Sequence, residues 1–199
     1  MPSMHAAILV TLSLAGNDDR DVIQTALLSF YKKEVWHAPD WEPKQPIQLL
    51  DKFGKGEPMS MELILRALKV DADSAFARLK KESKTPRDKE YLRYYESTSR
   101  ELEGIIPLVK QKGSFAPSLL VDFRDVTWDP KIIVVEEFRP YSVLGPVSAR
   151  ALRPRYSPNG QFAWVQFRMP WSMHSADVEF VLERRDGAWR VRVGWARFY

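Results

Sequence analysis

A candidate acid/base pair lies in residues 36–41, which read Trp-His-Ala-Pro-Asp-Trp. This segment places an imidazole, a carboxylate and two indoles close together along the chain. Asp40 can orient His37 as a general base beside an aromatic wall, which is how many small-molecule enzymes move protons. The alternative is a proline-rich connector whose tryptophans fill the core and whose histidine is solvated. His37 and Asp40 are the catalytic candidates, and we favour the connector.

A second group of residues, basic and aromatic, lies on both sides of the turn Asn159-Gly160. If that turn is a two-residue hairpin loop, Arg155 faces Trp164 on the neighbouring strand. A guanidinium over an indole contributes about 0.5–1 kcal/mol at an exposed site. The alternative is a solvated sheet face without a ligand. The candidate residues of a ligand or partner surface are Arg153, Arg155, Phe162 and Trp164.

Several common chemistries lack the residues that they need. The chain has no cysteine, which excludes disulfide scaffolds, thiolate zinc sites and thiol nucleophiles. The three histidines, His5, His37 and His174, do not have the spacing of metal ligands. The sequence contains no glycine-rich phosphate loop, no dinucleotide fingerprint and no Gly-x-Ser-x-Gly elbow. We therefore predict no metal and no cofactor, and we favour a protein that is not an enzyme.

Length and composition indicate one globular domain. The 199 residues are 45% hydrophobic and 28% charged, which are ordinary values for a folded protein. The 30 basic and 26 acidic residues give a net charge of +4, which is too weak to imply a nucleic-acid partner. We assign residues 1–15 to a candidate signal peptide and residues 16–199 to a single α+β domain. Within that domain the helical part covers about 18–104 and the β part about 118–199.

The N-terminal segment has the pattern of a secretory signal. Residues 6–14 are apolar apart from Thr11 and Ser13, and small residues follow at the position where a signal peptidase cleaves. No lysine or arginine precedes the apolar stretch, so a buried first element of the mature fold is the alternative. We predict export to the periplasm or the extracellular space, with the cytoplasm as the alternative. No uncharged apolar run reaches the roughly 18–20 residues that span a bilayer, so we predict no transmembrane segment.

Three stretches have helical periodicity, at about 18–35, 60–83 and 85–104. Asp71 and Asp73 can each cap a new helix, so the second stretch is either one helix or two. The third begins at Thr85, which has proline in the next position and Asp88 three residues later, as in a capping box. Gly104 is where we expect that helix to end.

The C-terminal part of the chain predicts an antiparallel meander. Asn159-Gly160 and Asp186-Gly187 are both hairpin signals, because the two central residues of a type I′ turn need positive φ. The predicted strands cover residues 148–157, 161–169, 176–185 and 188–198.

Alternation of residue types specifies the register of the second hairpin. A slip by one residue would move its charged side chains into the core, so the pattern allows one register. We expect one face to be the core and the other to be solvated. The predicted core pairs are Leu182 with Val191, Phe180 with Val193 and Val178 with Trp195, all on the side of Trp189. The predicted solvated face has Glu183 opposite Arg190 and includes Asp177 and Glu179.

Residues 156–165, Tyr-Ser-Pro-Asn-Gly-Gln-Phe-Ala-Trp-Val, lead into Val178–Leu182 and the segment 186–191, Asp-Gly-Ala-Trp-Arg-Val. This tail resembles the C-terminal meander of nuclear-transport-factor-2-like (NTF2-like, cystatin-like α+β) domains, and it is similar to the tails of a class of exported bacterial proteins. The resemblance covers roughly the last quarter of the chain. It implies helices packed on a curved sheet that forms a cone with a pocket, in a family of isomerases, dehydratases and non-catalytic binders. The long helical N-terminal half departs from that pattern.

These observations together predict an α+β protein with N-terminal helices packed on a C-terminal antiparallel meander, NTF2-like in its fold. The function that we favour is a non-catalytic binding or interaction module, with a protein partner or a homodimer formed through the sheet. One alternative is an NTF2-like isomerase or dehydratase with an acid/base in a cone-shaped pocket. The other is a basic sheet surface that binds a polyanion.

Overall fold

The computed structural model describes residues 18–30, 46–54, 59–82, 84–109, 123–137, 147–171 and 174–198. The candidate signal peptide, residues 1–15, lies outside these ranges. The fold is α+β, as predicted. Its helices are α1 (residues 18–30), α2 (Met61–Glu82) and α3 (Pro86–Val109), with a short 3-10 helix at Phe123–Asp125. Its strands are β1 (Ile47–Leu50), β2 (Ile132–Val135), β3 (Ser148–Ala151), β4 (Arg155–Tyr156), β5 (Phe162–Trp171), β6 (His174–Arg185) and β7 (Ala188–Phe198).

The seven strands form one mixed sheet with the order β2-β1-β3-β5-β6-β7, and β4 pairs with β5 beside this path. Strands β5, β6 and β7 make the predicted antiparallel meander. Strand β1 pairs in parallel with both β2 and β3, an arrangement that the sequence analysis did not predict. The predicted strand 148–157 is divided into β3 and β4 because Pro154 has no amide proton for the ladder.

The second hairpin turns where the sequence predicts. Asp186 and Gly187 have φ angles of 53° and 79°, which is the left-handed region that the turn requires. Next to the turn, Glu183 lies opposite Arg190 and Leu182 opposite Val191, as predicted. The local backbone preference of two residues therefore fixes this end of the sheet.

Farther from the turn the predicted register is wrong, because a β-bulge interrupts the ladder. The register shifts between Val181 and Leu182, and Arg192 is the extra residue on β7. Val193 therefore lies opposite Val181, and Trp195 lies opposite Glu179. The bulge sends Trp189 to one face of the sheet and Trp195 to the other, and both indoles are buried.

Helix α1 covers the first face of the sheet. Its buried side chains are spaced as in an amphipathic helix and pack on the alternate residues of β5 and β6 that face them. The Tyr156 hydroxyl donates a hydrogen bond to Asp19 at 2.6 Å, and Arg184 pairs with Asp18 at 3.1 Å. The helix contributes Val22, Ile23, Ala26, Leu27 and Phe30, and the strands contribute Ala163, Val165, Phe167, Phe180 and Leu182.

Helices α2 and α3 form an antiparallel hairpin that covers the second face. Helix α2 is a single helix of 22 residues, in which Asp73 accepts hydrogen bonds from Lys69 and Ser99 and does not cap a new helix. Helix α3 passes Gly104 and continues to Val109, because Ile105 and Val109 are buried in this core. The helices contribute Leu65, Leu68, Leu102 and Ile105, and the sheet contributes Phe162, Trp164, Val181, Val193 and Trp195.

None of the helices in the described ranges is both long enough and apolar enough to cross a membrane.

Candidate functional site

A cleft of about 710 Å³ lies beside α2 at the second face of the sheet, where the chain between β3 and β4 forms a further wall. We call it the arginine cleft, because four of its residues are arginines. The α2 side contributes Met59, Ile64 and Ala67, the segments that follow β1 and β3 contribute Gly54, Leu152 and Arg153, and the sheet contributes Arg155, Trp164, Gln166, Arg168, Glu179 and Arg197.

Strand alternation places the polar sheet residues on this face. Trp164, Gln166 and Arg168 are alternate residues of β5, so their side chains point to the same side. Glu179 of β6 lies opposite Gln166. Arg155 of β4 lies opposite Trp164, the pairing that the sequence predicts. The predicted two-residue turn is wrong, because Gly160 has positive φ and Asn159 does not, and the Gly160 amide donates to the Ser157 carbonyl at 2.8 Å.

The segments at the ends of β1 and β3 approach each other closely at the wall of the arginine cleft. The Gly54 amide donates a hydrogen bond to the Ala151 carbonyl at 2.8 Å, and Gly54 forms an isolated bridge with Leu152. A Cβ atom on Gly54 would lie 2.7 Å from Leu152 Cδ2 and 3.1 Å from Arg150 Cδ. Only glycine fits here without displacing the Leu152 side chain.

Glu179 is the buried acid of the arginine cleft and is only 3% exposed. One carboxylate oxygen accepts a hydrogen bond from Trp164 Nε1 at 3.0 Å, and the other is paired with the Arg197 guanidinium. Arg197 also pairs with Asp71 of α2 at 2.6 Å. Burial raises the pKa of Glu179, while Arg197 and the indole oppose that rise. The cleft therefore contains a carboxyl group that holds its proton more tightly than an exposed glutamate.

The other three arginines of the cleft differ in their exposure. The Arg168 side chain is 59% exposed, and its Nε donates to Asp177 at 3.2 Å. The Arg153 guanidinium lies 5.6 Å from the centre of the Phe53 ring. Arg155 is half-buried beside Trp164. The arrangement is a buried carboxylate paired with the half-buried Arg197, with Arg153 and Arg168 more exposed beside them.

The predicted surface residues have different positions. Arg153, Arg155 and Trp164 line the arginine cleft together, and Trp164 is 6% exposed. Phe162 is 1% exposed and lies in the core beneath α2 and α3. The catalytic candidates His37 and Asp40 lie outside the described residues.

The prediction of a solvated face with Asp177, Glu179 and Glu183 is wrong. All three are buried, because α2 and α3 pack on that face of the sheet. Acidic side chains of the two helices pair with the arginines of the same face. Arg192 pairs with both Glu183 and Glu101 of α3. The signal that could have found Glu179 is Trp164, since a large aromatic residue two strand positions from Phe162 indicates a covered face.

The arginine cleft has the chemistry of an anion site. Guanidinium groups bind carboxylates and phosphates in a planar, bidentate manner, and Met59, Ile64 and Leu152 offer apolar contact beside them. Within the described part of the chain, no three histidine or acidic side chains are grouped as metal ligands. Comparison of the sequence and the structure with protein-family models, curated proteins and solved structures finds no match.

Proposed function

We propose that the protein is a binding module and that the arginine cleft holds a small organic anion with an apolar part. The observation that carries this proposal is the presence of four arginines and an apolar wall in one cleft of about 710 Å³. Clefts of roughly 300–1,000 Å³ are typical of small-molecule sites. This extends the binding-module prediction, with Arg153, Arg155 and Trp164 retained as site residues.

Charge arithmetic favours a carboxylate over a more highly charged ligand. Two of the four arginines, Arg168 and Arg197, already pair with three acids, Asp177, Glu179 and Asp71, so much of the positive charge of the cleft is balanced within the fold. The ion pairs also hold Arg168 and Arg197 in fixed orientations, which reduces the entropy that a ligand must overcome.

A pair of matched probes tests the proposal. We expect 1-naphthoate to bind in isothermal titration calorimetry and 1-naphthamide, its neutral isostere, to bind at least tenfold more weakly. The double substitution R153Q/R155Q removes two guanidinium groups from the cleft and should weaken naphthoate binding by at least tenfold.

The control for that experiment is R100Q/R190Q, which removes the same charge from exposed positions outside the cleft. Its naphthoate affinity should stay within about twofold of the parent, because distant surface charges are screened. Equal affinity for naphthoate and naphthamide, or equal weakening in both double variants, would contradict an anion site in this cleft.

The NTF2-like resemblance and export remain part of the proposal. A cleft between helices and a long antiparallel meander supports the NTF2-like resemblance, because that resemblance implies helices that enclose a pocket on a sheet.

The proposal of export rests on the apolar segment at residues 6–14. N-terminal sequencing of protein from the culture medium and the periplasm tests it, since export predicts a mature chain that begins near residue 16.

A second candidate function is acid/base catalysis, and the buried Glu179 favours it. A general base works best with a pKa near the working pH, and burial moves the pKa of Glu179 upward in that direction. In this reading the arginines bind the carboxylate of an oxo acid, and ionised Glu179 takes a proton from the carbon next to the carbonyl. The electron pair of that C–H bond passes to the enolate, which then takes a proton from solvent while Glu179 releases its own proton to solvent.

Deuterium exchange distinguishes catalysis from binding alone. The probe is 2-oxobutanoate in D₂O, with loss of its C3 proton signal followed by NMR. Catalysis predicts exchange that the parent protein accelerates and E179Q does not, while the exposed control E96Q behaves as the parent. Binding of naphthoate without acceleration of exchange supports the binding module and rejects the enzyme.

A further inference from the structure

The helical hairpin extends beyond the part that packs on the sheet. The buried residues of α2 end at Ala72, and those of α3 begin at Thr98. Between these two positions every described residue is exposed or half-buried. We call residues 76–93, the end of α2 and the start of α3, the hairpin tip. The tip therefore makes little contribution to either core.

The hairpin tip accounts for the net charge of the whole protein. It has seven basic residues and three acidic ones, a net charge of 7 − 3 = +4. The complete chain has 30 basic and 26 acidic residues, so the rest of it contains 23 of each and is neutral. The basic residues of the tip are Arg78, Lys80, Lys81, Lys84, Arg87, Lys89 and Arg93.

Helix electrostatics explain only part of this concentration. Lys80 and Lys81 lie in the last turn of α2, where the helix dipole favours positive charge. Arg87 and Lys89 lie in the first turn of α3, where the dipole disfavours it. Asp88 already supplies a negative charge at the start of α3, where its carboxylate accepts hydrogen bonds from the backbone amides of Lys84 and Thr85. The helix dipole therefore accounts for Lys80 and Lys81 and does not account for Arg87 and Lys89.

The cations surround both helices and do not form one stripe. Successive helical residues are turned by about 100°, so Arg78, Lys80 and Lys81 point in different directions. Lys80 lies over the Phe76 ring at 5.6 Å, and Arg87 lies over the Tyr91 ring at 5.9 Å. A rod-shaped polyanion could contact only one side of this arrangement. A flat surface that meets the tip end-on comes near the cations of both helices.

We propose that the hairpin tip docks on the anionic surface of a lipid bilayer. With a rise of about 1.5 Å per residue, most of the basic residues lie within about 10 Å of the turn between the helices. That distance is close to the Debye length in physiological salt, so a charged plane at the turn attracts them together. The attraction is electrostatic and peripheral, and each basic residue near such a surface increases association about fivefold.

Sedimentation with lipid vesicles tests the docking proposal. We expect the protein to sediment with vesicles of phosphatidylcholine mixed with phosphatidylserine and not with vesicles of phosphatidylcholine alone. Added salt should release it, because counter-ions screen the attraction. Equal binding to both vesicle types, or no binding to either, overturns the proposal. So does tighter binding of double-stranded DNA at the same salt concentration, which would make a nucleic acid the better ligand.

Two triple variants with the same net charge separate the tip from overall charge. Both K80Q/K81Q/K84Q in the tip and K52Q/R66Q/R100Q elsewhere reduce the charge from +4 to +1. The tip variant should bind the mixed vesicles on the order of a hundredfold more weakly, and the other variant within about threefold of the parent. Equal losses overturn the proposal. If circular dichroism shows that the tip variant is unfolded, R87Q/K89Q/R93Q makes the same test from α3.

Discussion

The Trp164 indole and the Glu179 carboxylate are joined by a hydrogen bond of 3.0 Å between β5 and β6, on a face of the sheet that helices cover. An indole can only donate, so it stabilises the ionised carboxylate in surroundings that otherwise favour the protonated form. Arg197 adds to this from β7. The acid of the arginine cleft is therefore held by one residue from each neighbouring strand.

The raised pKa of Glu179 predicts a pH-dependent stability. Between the ordinary value of 4.5 and the higher native pKa, the folded protein retains a proton that the unfolded chain has released. The stability that this group confers is thus greatest at acid pH and declines as the pH rises through that window. E179Q lacks the titration, so its unfolding free energy in urea should increase relative to the parent as the pH rises. A difference that shrinks with rising pH would instead mean that the Arg197 pair dominates.

Arg192 connects the sheet to α3, and its loss should be costly. The substitution Arg192→Met removes one of two arginine partners of Glu183, a buried carboxylate that also pairs with Arg185, and it removes the partner of Glu101 on the sheet. We expect a loss of about 2–3 kcal/mol in the free energy of unfolding, measured in urea at neutral pH. The double variant E183Q/R192M should recover part of that loss, because it also removes the buried charge at position 183 that Arg192 helps to balance. Additive losses would argue against the pairing.

A matched pair of glycine substitutions tests the packing between β1 and β3. Gly54→Ala places its Cβ 2.7 Å from Leu152, so we expect a loss of about 1–3 kcal/mol and weaker naphthoate binding. At Gly104, inside α3, no atom lies within 4 Å of the new Cβ, so Gly104→Ala should stabilise the protein by about 0.5–1 kcal/mol. Thermal unfolding of the two variants compares them directly, and a shift of the same sign in both would refute the assignment.

Phe162 is a large and almost fully buried side chain of the core under the helical hairpin. Phe162→Ala should cost about 3–5 kcal/mol in urea unfolding, because it leaves a cavity between the sheet and α2–α3. Leu63→Ala is the control, since that side chain is on α2 but is exposed, and its cost should stay below about 0.5 kcal/mol. Comparable losses would mean that the aromatic ring does not pack as described.

Local signals predicted the meander, whereas the bulge needed knowledge of the whole fold. Asp186-Gly187 defines its turn through backbone preference alone. The alternation of Trp189, Val191, Val193 and Trp195 is equally consistent with one unbroken core face. Only the presence of helices on both sides of the sheet gives both indoles a buried position. No short window of sequence contains that information.

The arginine cleft was predictable to the same limited extent. The register of the first hairpin follows from Asn159-Gly160, so the pairing of Arg155 with Trp164 was accessible from the sequence. Glu179 was not, because an acid among alternating residues is typical of a solvated face. Its partners Arg197 and Asp71 are distant along the chain, and the approach of α2 to the sheet is a tertiary event.

The bulge at Arg192 gives β7 a side chain in each of the two cores, with Trp189 under α1 and Trp195 under the helical hairpin. The helical layers on both faces of the sheet therefore depend on the packing of β7. The three layers should therefore melt in one cooperative step in calorimetry, and the amides of β6, the middle strand of the meander, should exchange only through global opening.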